Sequence, residues 1–85
     1  MVRVVVPSML AAQADGRRRF DVEAATVAEA LHALPVADLV LDERGELRRY
    51  VNVYVDGTDA RDAGGLAYPV SGGQVVRIVA MLSGG

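Results

Sequence analysis

Alternating apolar and polar residues predict four β-strands along the chain. Residues 2–6 are valines interrupted by Arg3 and closed by Pro7, a composition typical of a strand with a buried face. Residues 19–23 and 50–55 alternate with the period of half-buried strands, and residues 75–82 form the longest apolar run. The Asp15-Gly16 turn signal makes the first two strands a predicted hairpin.

One main helix is predicted between the second and third strands. Thr26 and Glu29 have the spacing of a capping box, in which the threonine accepts from the Glu29 N–H and the glutamate reaches back to the threonine N–H. The apolar residues that follow at helical spacing are Val27, Ala30, Leu31 and Leu34, and Pro35 ends the helix. Residues 36–41 fit either a short helix or a packed loop, 42–46 form an exposed polar turn, and 66–70 give at most a short strand.

This order of elements favours a single α+β domain over residues 1–85, with a mixed sheet of four to five strands packed on one main helix. We expect the first and last strands to pair at its centre, because they are the most apolar. With Arg3 and Arg77 directed to solvent, strand alternation turns the following residues inward: Val2, Val4, Val6, Val76 and Ile78. The same alternation leaves Val5, Pro7, Val79 and Met81 on the outer face.

Composition excludes several functional classes for a chain of 85 residues with a net charge of −2 and a sequence pI near 5.2. Nucleic acid is a poor partner, since eleven acids offset the nine arginines. With no cysteine and one histidine, His32, we expect no His/Cys metal site and no enzyme activity from the side chains. No apolar run reaches the roughly 20 residues that span a bilayer. We therefore expect a cytoplasmic protein, without a membrane partner and monomeric when alone.

The last residues are the best candidates for chemistry. A long apolar strand leads into Ser83, Gly84 and Gly85, which we expect to form a flexible tail ending in a carboxylate. Two residues without Cβ can enter a channel too narrow for other side chains, so another enzyme could act on the Gly85 carboxylate. The alternative is that the terminal glycines are frayed and inert.

These features resemble the ubiquitin-like β-grasp sulfur carriers of the MoaD/ThiS family, and their CysO-type branch in particular. The resemblance rests on three groups of residues: Tyr50-Val-Asn-Val-Tyr-Val55, Asp59-Ala-Arg61-x-x-Gly64-Gly-Leu66, and the terminal Gly84-Gly85. It spans nearly the whole chain and is strongest over residues 47–85.

The resemblance implies a reaction sequence in which this chain binds no cofactor of its own. An E1-like enzyme would use ATP and Mg²⁺ to adenylate Gly85, and sulfur transfer would then give a thiocarboxylate. The sulfur would pass to a biosynthetic enzyme, such as a pyridoxal phosphate enzyme that makes cysteine. Relatives in the family supply sulfur for the synthesis of thiamin, molybdopterin or sulfur-containing secondary metabolites. An apolar patch on the sheet would dock the activating enzyme, with these members expected here: Val5, Pro7, Val55, Val79, Met81 and Leu82.

Two other functions fit the same sequence. A ubiquitin-like modifier would pass the adenylated Gly85 to a lysine of another protein, and adducts on lysine would distinguish it. A β-grasp interaction domain would leave its terminal glycines inert, so an extension past Gly85 would block a carrier but not simple docking.

Overall fold

Five β-strands form one mixed sheet in the computed structural model, which describes residues 1–80. They are β1 (Val2–Val5), β2 (Arg19–Val22), β3 (Val51–Val55), β4 (Thr58–Asp59) and β5 (Val75–Ala80). Their order is β2-β1-β5-β3-β4, with β1 and β5 parallel and the other neighbours antiparallel. The predicted α+β class and the pairing of the first and last strands at the centre of the sheet are confirmed.

Three short α-helices accompany the sheet: α1 (Ser8–Ala11), α2 (Val27–His32) and α3 (Ala37–Val40). Three 3-10 helices cover Ala12–Ala14, Ala60–Ala63 and Gly65–Ala67. Within residues 36–41 the helical alternative is correct, because α3 buries Val40 against the core. No helix among residues 1–80 is long and apolar enough to cross a membrane.

The capping box at the start of α2 is present with one change. The N–H of Glu29 donates to Thr26 Oγ1 at 3.2 Å, as predicted. Glu29 Oε1, however, accepts from the N–H of Ala25 at 2.9 Å, one residue before the predicted threonine. The glutamate therefore also fixes the chain leading into the helix, and a cap of this kind contributes about 1 kcal/mol.

One face of the sheet forms the hydrophobic core with the helices. Val2, Val4, Val6, Val76 and Ile78 are all at most 2% exposed, which confirms the predicted alternation. The predicted apolar residues of the helix are buried as well, with Val27, Ala30, Leu31 and Leu34 at most 4% exposed, although α2 ends at His32, before the predicted stop at Pro35, and Leu34 lies beyond it. Full burial of a valine or leucine side chain stabilises a fold by about 1.5–3 kcal/mol. The opposite face of the sheet carries the exposed Arg3 and Arg77.

The connection between β1 and β2 is longer and more ordered than a simple hairpin. The chain forms α1 and a 3-10 helix before it turns at Asp15 and Gly16, both of which have positive φ. Leu10, Ala11 and Ala14 are buried in this segment. Its apolar residues thus extend the core past the end of the sheet, a role that the sequence pattern alone did not indicate.

Residues 66–70, predicted to give at most a short strand, contribute no strand to the sheet. Gly65–Ala67 forms a 3-10 helix, and Pro69 makes only an isolated bridge with Thr26. The segment forms hydrogen bonds with the residues around the start of α2 instead of with the sheet. The N–H of Val27 donates to the Tyr68 carbonyl, and the N–H of Val70 donates to the Ala25 carbonyl, each at 3.0 Å.

The start of β5 is held by a turn from the neighbouring hairpin. Asp56 and Gly57 join β3 to β4 with φ of 48° and 86°, the positive values of a tight primed turn. Asp56 Oδ1 accepts from the N–H of Val75 at 3.0 Å, and Oδ2 accepts from Gln74 Nε2 at 3.1 Å. The turn was predicted, whereas the two-residue strand β4 that follows it was not.

Candidate functional site

The central strand β5 positions the candidate site, because it runs towards the C-terminal residues. It lies between β1 and β3, and its last described residue, Ala80, pairs with Val51 of β3. The predicted reacting residue Gly85 and the tail residues Ser83 and Gly84 lie outside the described residues. The described site is therefore the surface around the end of β5.

Three residues of the predicted docking patch lie together beside this end. Val5, Pro7 and Val79 are half-buried and line a shallow depression of about 280 Å³. Ala80 also lines it, so the depression reaches the last described residue of β5. The depression combines apolar and polar surface, as protein contact sites do.

The other members of the predicted patch are not part of this surface. Val55 is 1% exposed, so its assignment to an exposed patch is wrong. It pairs with Val76, whose side chain points into the core, and side chains directly opposite on neighbouring strands share a face. Met81 and Leu82 lie outside the described residues.

Two arginines form the polar edge of the depression. Arg18 precedes β2 and Arg77 lies on β5, and both line the depression together with its apolar residues. Among residues 1–80, no acidic residue contributes to the lining. Because a guanidinium keeps its charge at every physiological pH, this edge is permanently positive.

A network of polar side chains lies on the outer face of β3. Asn52, only 8% exposed, donates from Nδ2 to Asp59 Oδ2 at 3.1 Å and to the Tyr54 hydroxyl at 3.3 Å. Asp59 Oδ1 in turn accepts from the N–H of Arg61 at 2.9 Å. Sequence reasoning used Asn52 and Asp59 only as part of a family signature, although an asparagine between strand valines signals a buried polar contact that needs partners.

Arg61 connects this network to the end of β5. Its Nη2 donates to the carbonyl oxygen of Val51 at 2.9 Å, and Val51 is the residue that pairs with Ala80. The strand β4 is only two residues long and does not reach Val51, so the arginine satisfies a carbonyl that strand pairing leaves open. Arg61 thus supports the start of β3, whose Val51 pairs with Ala80 of β5.

A second concavity includes Arg61, the residue that bonds to the Val51 carbonyl. It has a volume of about 550 Å³, and its lining combines Leu47 and Leu66 with Arg49 and Arg61. Gly64 and Gly65, both with positive φ, form part of its wall, and a Cβ at either would meet nothing within 4 Å. Sequence reasoning missed this concavity, because its residues come from two separate loops.

Comparisons with known proteins match the chain along almost its full length. The ThiS family model matches residues 9–85. The "Sulfur carrier protein CysO" of Mycobacterium tuberculosis (strain H37Rv) is 30% identical over 91 residues, an alignment that covers 99% of this chain and 98% of the relative.

Solved structures support the same relationship. The crystal structure of the Amycolatopsis orientalis BexX/CysO complex contains a chain that is 29% identical, with a TM-score of 0.85 and full coverage of both chains. The Haloferax volcanii small archaeal modifier protein 1 is 26% identical, with a TM-score of 0.72 over 95% of this chain and 97% of its own. These likenesses confirm the predicted ubiquitin-like β-grasp fold. Since the family model covers far more than half of the chain, the protein belongs to the ThiS family.

Proposed function

We propose that this protein is a sulfur carrier whose C-terminal Gly85 carboxylate is converted to a thiocarboxylate. The observation that carries the proposal is the similarity to a sulfur carrier protein CysO over 99% of the chain. The Gly84-Gly85 end, which follows the central strand in sequence, is the chemical feature that fits this role.

The chemistry needs an activated carboxylate. A carboxylate is a poor acyl electrophile, so an E1-like enzyme first transfers AMP from ATP to an oxygen of Gly85, and Mg²⁺-bound pyrophosphate leaves. A sulfur nucleophile then attacks the carbonyl carbon, and AMP departs with its oxygen. The net change is one oxygen exchanged for sulfur, and a chain without cysteine has no side-chain thiol that could hold the sulfur instead.

Partner enzymes do the catalytic work in this scheme. The depression beside β5 is the proposed contact for the activating enzyme, because its lining reaches Ala80, the last described residue of β5. The complex of a CysO with BexX in Amycolatopsis orientalis supports the idea that carriers of this kind form complexes with partner proteins. For this chain, the acceptor is proposed to be a biosynthetic enzyme that makes cysteine or another sulfur-containing metabolite.

Intact-protein mass spectrometry tests the proposal. The protein is incubated with ATP, Mg²⁺, a sulfide source and, in turn, several E1-like enzymes of bacterial sulfur pathways. We expect a mass gain that matches exchange of one oxygen for sulfur. The gain should be absent from a variant that lacks Gly85 and from one extended past Gly85. A folded wild-type protein that gains no mass with any of the enzymes would refute the carrier function.

A ubiquitin-like modifier is the second candidate, supported by the similarity to the Haloferax volcanii small archaeal modifier protein 1. It would use the same adenylated Gly85 but transfer it to a lysine amine, which releases AMP and forms an isopeptide bond. Proteomic detection of the C-terminal peptide of this chain on lysines of cellular proteins would favour the modifier. Thiocarboxylate formation without such adducts would favour the carrier.

A further inference from the structure

The two edges of the sheet differ in how much backbone they leave open. At one edge, β4 has only two residues, and Arg61 donates to the Val51 carbonyl of β3 next to it. At the other edge, β2 has four residues, Arg19–Val22, and β1 is its one neighbour in the sheet of the described residues. An edge strand presents a row of N–H and C=O groups to which another strand can bond.

The backbone groups of Arg19 and Asp21 point towards this open edge. The N–H of Val6 donates to the Arg18 carbonyl at 2.8 Å, just before β1 and β2 pair. In an antiparallel pair, bonds to the neighbouring strand recur at every second residue, so Phe20 is the next residue of β2 that bonds to β1. The N–H and C=O groups of Arg19 and Asp21 are therefore directed away from β1.

The charges along this edge change sign from its start to its end. Arg19, Asp21 and Glu23 are exposed, and strand alternation places them on the outer face of the sheet. Within residues 1–80, Arg19 and Glu23 form no ion pair, whereas Asp21 accepts from Arg3 through Oδ1 at 3.2 Å. A strand that is positive at its start and negative at its end is complementary to the same strand running in the opposite direction.

Only one antiparallel register of two β2 strands keeps like charges apart. Identical edges related by a two-fold axis bond through their outward-directed residues. An axis at Phe20 places Arg19 opposite Asp21 of the second copy, and symmetry repeats this ion pair. An axis at Arg19 or at Asp21 places that residue opposite itself, and an axis at Val22 places Asp21 opposite Glu23 of the second copy. Charges on edge strands commonly prevent pairing, but here their order permits one register within β2.

We propose that two copies of this protein associate through β2 into a two-fold dimer, which joins the two five-stranded sheets into one. Backbone hydrogen bonds at Arg19 and Asp21 hold the strands together, and the ion pairs between these residues set the register. Because β2 has only four residues, the interface is small, and dilute protein stays monomeric as the sequence predicts. The association needs neither ATP nor an activating enzyme, so its test is independent of the carrier function.

Sedimentation equilibrium of the full chain tests for the dimer. As the concentration rises to about 1 mM, the range of weak affinities, the average mass should rise from 9.0 kDa towards twice that value. Added salt should weaken the association, because it screens exposed ion pairs. A mass that stays at that of one chain would overturn the proposal, and so would growth beyond a dimer, since pairing of the two β2 edges uses both of them.

Amide hydrogen exchange identifies the strand that pairs. Exchange at Arg19 and Asp21 should slow several-fold as the protein concentration rises, because their N–H groups gain acceptors from the second copy. Exchange at Phe20 and Val22 should change much less, since these residues already bond to β1. A dimer in which the amides of Arg19 and Asp21 exchange as fast as in the monomer would contradict pairing through β2.

Charge reversal tests the register. Arg19→Asp and Asp21→Arg should each abolish the dimer, because like charges then face each other. An equimolar mixture of the two variants should associate again, since every pair in the mixed dimer joins opposite charges. The matched control is Arg44→Asp, the same change of charge at an exposed loop outside β2, which should dimerise like the wild type. If both variants remain folded by circular dichroism and their mixture does not associate, the proposed register is wrong.

Discussion

The two ends of strand β5 differ in whether the polar and charged groups around them have partners within the described residues. At its start, Asp56 accepts from the N–H of Val75 and from the Gln74 side chain, and the N–H of Arg3 donates to the Gln74 carbonyl at 3.0 Å. At its end, Val79 lines an open depression beside Arg77, which has no acidic partner in the described part of the chain.

The difference shows that one strand of a small domain can contribute to the stability of the fold at one end and to binding at the other. Polar groups at the start are satisfied within the chain, so that end contributes to the stability of the fold. Charges and apolar atoms at the other end have no partner inside the described residues. Such groups gain most from a second protein, which can pair the charges and cover the apolar area.

The largest effect on stability is expected from neighbouring residues on opposite faces of β5. Ile78 is 2% exposed in the core, whereas Val79 lies half-buried on the outer face. Ile78→Ala should lower the free energy of unfolding by about 3 kcal/mol, because it removes buried methyl groups and leaves a cavity. Val79→Ala should cost about 1 kcal/mol or less.

Urea unfolding followed by circular dichroism measures both variants against the wild type. In the activation assay, Val79→Ala should raise KM for the carrier although the protein stays folded. Equal losses of stability in the two variants would contradict the assignment of the faces.

A smaller loss of stability is expected when the hydrogen bonds that Asp56 accepts at the start of β5 are removed. Asp56→Ala deletes the acceptors for Val75 and Gln74 and places alanine at a φ of 48°. We expect the free energy of unfolding to fall by about 1 kcal/mol, since the donors of Val75 and Gln74 lose their acceptor and alanine is strained in the left-handed backbone. Asp56→Asn is the control, because asparagine tolerates this backbone and retains one acceptor oxygen.

Hydrogen exchange at the Val75 amide directly reports the hydrogen bond from this amide to Asp56. Exchange should accelerate in Asp56→Ala and change much less in Asp56→Asn. Unchanged exchange in the alanine variant would mean that strand pairing alone holds the start of β5.

The smallest effect is a local response to pH in the turn formed by residues 42–46. The N–H of Glu46 donates to Asp42 Oδ1 at 3.0 Å, and this bond holds the pKa of Asp42 below its ordinary value of 3.8. A carboxyl with a lowered pKa stabilises the folded turn above the ordinary value and loses that contribution as the pH falls through the folded pKa. We therefore expect the turn to loosen only in acid.

Amide signals of Arg44 and Glu46, followed by NMR between pH 6 and pH 2 (roughly the range around a carboxyl pKa), measure this response. In the variant Asp42→Asn the acid-dependent change should disappear, and signals from the end of β5 should not follow the Asp42 titration. A change at β5 coupled to Asp42 would contradict the local role of the turn.

The sequence predicted most of the sheet and its main helix, because these elements depend on local periodicity. The alternation in β5 assigned Val76 and Ile78 to the core, and the Thr26 cap fixed the start of α2. The helical segment that contains Leu10 could not be read as such, since four residues give too little periodicity for a helix pattern.

The site was less predictable, because it depends on contacts between distant parts of the chain. Val5 and Val79 meet through the parallel pairing of β1 and β5, and alternation within each strand was sufficient to place both on one face. Val55 was misassigned although alternation within β3 already places it on the same face as Val51 and Val53, which are buried. The bond from Arg61 to Val51 depends on the short length of β4, for which the sequence has no clear signal.

The most direct test of the account uses sulfide labelled with a heavy sulfur isotope in the activation reaction, followed by tandem mass spectrometry of the intact protein. The account predicts that the label enters only in the presence of ATP and that only fragments that contain Gly85 carry it. Label in fragments from another part of the chain, or none in a folded protein that the enzyme adenylates, would contradict the claim that this protein carries sulfur on its terminal carboxylate.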